Sequence, residues 1–169
     1  MATTEYQTEI ENGVIVNNAV TIDMVATSTN VLLFGPVILT TGTVQQLPQV
    51  DGTTSADDRL VIGVCAKLNR SGTITANVSH VEICIFGICK VKVADTTVNL
   101  NDALATTTVA GKAKVRAAFV ISSSYSEAEV TNALQGIRST FGIALSTVSS
   151  GADSIIAAFI NIIPNGGAS

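Results

Sequence analysis

The chain has 169 residues, enough for one ordinary domain, with 13 % charged and 47 % apolar residues, a mean hydropathy of +0.47 and a formal net charge of −4. Apolar content this high with so little charge excludes an intrinsically disordered chain, and the absence of charged heptads excludes a coiled coil. No apolar run approaches the ~20 residues of a membrane-spanning helix, and a pI of 4.8 without basic clusters among aromatics argues against nucleic acid as a partner.

Val and Ile number 37 against 10 Leu, with 21 Thr beside them. β-Branched side chains fit a pleated surface and lose rotamer freedom in helices, so the fold class expected is mainly β. Residues 1–13 are polar and acidic and end at Asn12-Gly13, which reads as an N-terminal arm. Residues 14–164 then form a single β domain and 165–169 a loose tail. After the short apolar run Val14 to Val16, Val20, Ile22 and Met24 alternate with polar residues as a half-buried strand. Val31 to Thr40 is a strand broken at Gly35-Pro36. Pro48 to Arg59 is a polar loop, Leu60 to Lys67 a strand, Asn69 to Gly72 a turn, and Thr73 to Val78 a further strand.

From Val81 to Val93 the odd positions are apolar and face inward, while the even face ends in Lys90 and Lys92. The alternation of the preceding segment is out of phase with this, so a bulge or corner belongs at Ser79-His80. Thr96 to Asp102 is a turn region. Lys112, Lys114 and Arg116 share one strand face, opposite Ala113 and Val115. Ser126 with Glu129 is a capping-box pattern, and Val130, Leu134 and Ile137 follow on one helical face, predicting one short helix near 127–136 that Gly136 ends or weakens. Ile155 to Ile163 reads as a last buried strand stopped by Pro164, with a helix over 154–163 as the rival. An internal echo joins Ile62-Gly-Val-Cys-Ala and Phe141-Gly-Ile-Ala-Leu: each reaches a glycine, Gly72 or Gly151, nine residues after its own, before the next strand. Two equivalent hairpins suit a compact β-barrel or β-sandwich.

The three cysteines suit a reducing compartment as buried thiols. Cys84 and Cys89 lie an odd number of positions apart, which sends their side chains to opposite faces unless a bulge at Gly87 intervenes. The N-terminus carries acids where a secretory signal needs bases and an apolar stretch, so a cytosolic origin is expected and the sequons at Asn69 and Asn77 are chance matches. Residues 1–58 carry a net charge of −7, residues 59–116 carry +5 and the remainder −2. Unlike segments are therefore expected to meet, within a subunit or between subunits. The arm residues Glu5, Tyr6, Glu9, Ile10 and Glu11 are candidate partner contacts, and Lys90, Lys92, Lys112, Lys114 and Arg116 are the candidate basic acceptor face. Such an arm cannot alone bury enough surface to offset its ordering entropy, so it is expected to order only against a partner.

Candidate chemistry is sparse. His80 is the lone histidine, no Gly-x-Ser-x-Gly elbow accompanies it, and it reads as a turn or packing residue. Asp57-Asp58 reads as a solvated pair. Gly111-Lys112 lacks the flanking residues of a phosphate loop, and no His/Cys set has zinc spacing. Neither catalytic residues, nor metal ligands, nor a cofactor are expected.

An ordered series of short motifs runs along the chain: Leu60-Val-Ile-Gly-Val-Cys-Ala, the turn to Gly72, Phe86-Gly-Ile-Cys-Lys-Val, Asn101-Asp-Ala-Leu, Gly111-Lys, and Phe141-Gly-Ile-Ala-Leu with Gly151. Over roughly residues 35–163 this series resembles the small capsid decoration (cement) proteins of tailed phages and related viruses. Asn101 replaces the usual glycine, Phe86 stands where an acid is common, and the helical insert and long arm depart from the compact members. The resemblance implies a β-barrel-like, non-enzymatic subunit, usually trimeric, made in the host cytoplasm. It would sit on the virion capsid surface and bridge neighbouring capsomers through the major capsid protein, without a membrane partner. A phage tail-tube or fibre structural protein, or a small cytosolic β-barrel ligand-binding module or enzyme, are the alternative readings.

Overall fold

The computed structural model describes residues 19–40, 49–56, 60–68, 73–95, 97–117, 126–149 and 154–162. Among these, strands β1 (Val20–Ala26), β2 (Pro36–Thr40), β3 (Gln49–Gly52), β4 (Val61–Lys67), β5 (His80–Lys92), β6 (Ala103–Thr106) and β7 (Ala113–Val115) precede the helix α1 (Glu127–Arg138), and β8 (Gly142–Ala144) and β9 (Ile155–Asn161) follow it. The arm, the Val14 to Val16 run, Asp57-Asp58, the Asn69 to Gly72 turn and the tail lie outside the described residues.

Hydrogen bonding links the strands in the order β1-β3-β2-β4-β5-β9-β8-β6-β7, and β1 also pairs with β5. That second pairing closes β1, β3, β2, β4 and β5 into a five-stranded barrel. The thirteen-residue β5 is long enough to serve twice. Its first part pairs with β1 and β4, and from Phe86 to Lys92 it pairs with β9. The strands β9, β8, β6 and β7 then curl back until Val93, just past β5, bridges to Ala113 of β7, completing a second ring.

Two apolar clusters fill these rings. Met24, Ala26, Val31, Val37, Val50, Cys65, Val81 and Ile83 form the smaller, inside the barrel. The larger contains Val91, Leu104, Phe141, Ile156 and Ile160 and reaches beneath β4 and β5 through Val64, Ala66 and Cys84. Cys65 and Val64, like Ile83 and Cys84, thus point into different cores, so β4 and the start of β5 are buried on both faces. Strands covered on both sides read as continuous apolar runs, as Val61-Ile-Gly-Val-Cys-Ala does.

Of the odd positions of β5 expected to face inward, Val81, Ile83, Gly87, Cys89 and Val91 are buried, whereas Ile85 is only partly so and Cys84 is buried in its place. Gly87 has φ 108°, a conformation that side chains resist, but the extra residue is Ile85: Phe86 pairs with Val20 and Cys84 with Thr21, while pairing with β9 runs unbroken through Gly87. Cys84 and Cys89 consequently share one core cluster and are hydrogen-bonded to each other. A bulge does intervene between the two cysteines, at Ile85 rather than at Gly87 as the sequence suggested. The hydrogen bond to Cys84, reinforced by burial, pushes the Cys89 thiol up, and burial pushes Cys65 up to about 12.

The internal echo has a structural basis. β4 and β8 both run antiparallel to the strand that follows on the same ring, β5 and β9 respectively. Their glycines sit where the neighbouring backbone comes closest. A Cβ on Gly63 would lie 2.5 Å from the Cys84 carbonyl oxygen, and one on Gly142 would lie 2.9 Å from that of Phe159. Asn101, where the motif series ordinarily has glycine, adopts φ 69°, a left-handed conformation that asparagine tolerates better than most residues.

Several expectations are corrected. The supposed polar loop at 48–59 contains β3, which lies between β1 and β2 with Gln49 and Val50 buried. With one large apolar side chain among four residues it offered no alternation to read. Thr73 to Val78 is no strand: Val78 and Ser79 donate backbone hydrogen bonds to the Thr75 carbonyl at 3.1 and 2.9 Å, and Asn77 has φ 60°. The corner expected at Ser79-His80 is this turn. Val31 to Gly35 is also a turn, with Phe34 at φ 65°, so the strand begins only at Pro36. Within β1, Val20 and Ile22 stand outside while Met24 is buried. β6, with Leu104 as its one large side chain, had no strand signal. The residues Ile155 to Asn161 are strand, which settles the rival helix reading.

The helix begins as expected. Glu129 N donates to Ser126 Oγ at 3.3 Å, and Ser126 N donates to Glu129 Oε2 at 2.8 Å, a reciprocal cap. It runs through Gly136 to Arg138 rather than ending there. Its apolar face is not a core face: Val130, Leu134 and Ile137 are 40, 50 and 58 % exposed, while Ala133 is buried.

Candidate interaction surfaces

Cross-strand register places outward-pointing apolar side chains side by side. Val20 of β1 lies opposite Phe86 of β5, Ile88 lies opposite Phe159 of β9, and Phe159 lies opposite Ile143 of β8. The rings of Phe86 and Phe159 meet edge to face at 5.3 Å. Val20, Phe86 and Ile143 are exposed, so an apolar stripe crosses four strands on the outside of the sheet. Sequence reading had the individual residues but not their alignment, which depends on pairing between distant segments.

At the Ile143 end the stripe runs into a cleft of about 310 Å³ lined by Asn101, Arg116, Ile137, Thr140, Ile143 and Asn161. The backbone N–H of Arg116 donates to the Ala103 carbonyl at 2.8 Å, which pins the residue against β6. Its Nε is buried and has no hydrogen-bond partner among the described residues. The cleft is thus lined by both apolar side chains and a cation.

The candidate basic residues fall in two places. Lys90 and Lys92 leave the outer face of β5 opposite Ala157 and Ile155, and the Lys90 Nζ lies 5.8 Å from the centre of the Phe34 ring. Lys112 and Lys114 flank Ala113, the residue bridged to Val93, so the bridge brings the end of β5 and the start of β7 together. Ala113 and Val115 face the core, as the spacing predicted. Arg116 alone of this group enters the cleft. Glu5, Tyr6, Glu9, Ile10 and Glu11 lie outside the described residues.

His80 begins β5 and its Nδ1 is 3.0 Å from Asp23 Oδ2, both side chains more than half exposed. The neighbouring Thr21 hydroxyl donates to Glu82 at 3.2 Å rather than to the imidazole. Asp23, His80, Lys67 and Glu82 border a shallow depression of about 290 Å³. Solvent-exposed pairs of this kind contribute little to stability. No cluster of three or more His, Cys, Asp or Glu among the described residues is arranged to hold a metal ion, and no helix there is long and apolar enough to cross a membrane.

These features define a mainly β, barrel-type protein with one short helix among the described residues. No family model matches the chain, and no curated protein matches it. Among solved structures it is similar to the N base of the head fibre gp8.5 of bacteriophage phi29, with a TM-score of 0.47 and 12 % identity over 84 % of this chain and 93 % of that one.

Proposed function

We propose that this chain is a structural protein of a virus particle, and more narrowly a decoration protein that binds the assembled shell as a homotrimer and stabilises contacts between capsomers. The observation that carries this reading is the apolar stripe Val20, Phe86, Phe159, Ile143 on the outside of a barrel. Monomeric proteins rarely leave contiguous apolar surface uncovered, whereas association surfaces require it. The ordered motif series supports it further: its pieces fall on β4, β5, the turn into β6, the approach to β7, and β8, which together frame both rings.

Such a protein would act by mass action. A ligand that binds the assembled state stabilises it, and many copies contributing a few kcal/mol each raise the work needed to open the shell. No catalytic step enters this function, and His80→Gln would leave shell binding at the wild-type level.

Electron microscopy of the source particles is the decisive experiment. Density for this chain on the shell supports the proposal; density in the tail, or no particle at all, overturns it. Light scattering tests the trimer separately, and a stable monomer near 17 kDa at micromolar concentration would remove it. Phe86→Lys and Ile143→Lys, both at exposed positions, should abolish self-association or shell binding while leaving the fold intact.

A further inference from the structure

We propose that the Arg116 cleft is the docking site of the chain's own N-terminal segment, with the acid–apolar–acid element Glu9-Ile10-Glu11 seated in it. The cleft calls for a carboxylate with an apolar neighbour. A buried guanidinium N–H without a partner is unfavourable, and a carboxylate satisfies it with a charge-assisted hydrogen bond. Ile137 and Ile143 form apolar walls beside that cation, and the amides of Asn101 and Asn161 offer further donors and acceptors at the rim.

Chain geometry identifies the occupant. The segment preceding the described residues joins the fold at β1, where Val20 lies opposite Phe86. Asn161, which lines the cleft, lies opposite the same Phe86. Two strand spacings amount to about 10 Å, so the chain enters the sheet roughly that far from the cleft. The ten residues between Glu9 and Val20 can span up to about 33 Å when extended, three times what is needed. A tether this short gives a millimolar effective concentration, which favours the chain's own segment over a neighbour's.

Charge points the same way. Residues 1–18 contain Glu5, Glu9 and Glu11 and no base, and Ile10 sits between two of the carboxylates. The cleft combines a cation with two Ile side chains, and the segment combines carboxylates with Ile10. The inference concerns the isolated subunit and does not rest on the virion reading, so its test needs no capsid.

The test is hydrogen–deuterium exchange of residues 1–18 in the full-length protein, across about a hundredfold range of concentration. In wild type, amides around Glu9 to Glu11 should exchange at least about tenfold more slowly than in an unfolded peptide, independently of protein concentration, and the protection should vanish in high salt. Arg116→Gln and the double change Glu9→Gln, Glu11→Gln should each remove it, and combining them should do no more than either alone. Ile137→Ser, at a 58 % exposed position, should weaken it without touching the fold and serves if Arg116→Gln perturbs folding. Unprotected arm amides in wild type would overturn the proposal. So would protection unchanged by Arg116→Gln and Ile137→Ser, or protection that grows with protein concentration, which would mean a neighbour's arm.

Discussion

In the first ring β1 meets β5 over six register pairs, from Val20–Phe86 to Val25–His80, whereas among the described residues the second ring returns to the end of β5 through the single bridge Val93–Ala113. The bridge is reinforced by Ala94 N donating to the Ala113 carbonyl at 2.8 Å and by the Asp95 carboxylate accepting from Val115 N. The cores are unequal in the opposite sense: among the described residues, fifteen buried ones belong to the cluster of the second ring and eight to that of the first. A ring closed by a ladder gains stability from backbone pairing and tolerates a small core. A ring closed by a bridge depends on its side chains, and its rim is where a cleft opens beside Arg116.

The largest effects should come from the two cores. Ile83→Ala empties part of the first and Ile156→Ala part of the second, and each should cost about 2–5 kcal/mol in urea denaturation. Because β4 and β5 belong to both cores, both variants should shift one common transition. A separate early transition in Ile156→Ala, with the first ring intact, would break the picture of two rings folding together.

The paired glycines offer a sharper comparison. Alanine at Gly63 would bring its Cβ to 2.5 Å from both the Cys84 carbonyl and Ile83 Cγ2, while at Gly142 the nearest approaches are 2.9 and 3.0 Å. Gly63→Ala should therefore cost about 2–3 kcal/mol and Gly142→Ala about 1. Equal losses would mean that the second ring is as tightly set as the first.

Asp95→Asn weakens the reinforcement at the bridge and should cost about 1 kcal/mol, read as faster amide exchange confined to β7. Exchange in β1 should be unaffected. The smallest loss, about 1 kcal/mol or less, is expected for Ser126→Ala, which removes the cap of a mostly exposed helix. A fall in helical circular dichroism without a change in the main transition would be its signature.

What the sequence made legible follows from how local each signal was. β4, β5, β8 and β9 could be read because apolar residues recur within a few positions, and α1 because its cap is complete within four residues. β3 and β6 could not, since four residues with few large side chains take their conformation from neighbours far away in sequence. The cleft was hidden for the same reason. Asn101, Arg116, Ile137, Ile143 and Asn161 come from separate segments, and Arg116 was visible only as the end of a basic stripe. One clue was available: Val130, Leu134 and Ile137 on one face of the helix marked apolar residues in need of a neighbour, and Ile137 lines the cleft.

The shared strand also imposes an order of assembly. Every strand of the first ring, β5 included, lies before residue 93, so that barrel can close during synthesis, before β6 to β9 exist. Domains fold as units from the N-terminus as the chain emerges. The nascent barrel then presents the Phe86 to Lys92 portion of β5 as an unpaired edge until β9 arrives, more than sixty residues later. Unpaired edges recruit other chains, and lysines on them are a common guard against it. Lys90 and Lys92 stand on that edge, where their charge protects an intermediate that no longer exists once the protein is complete.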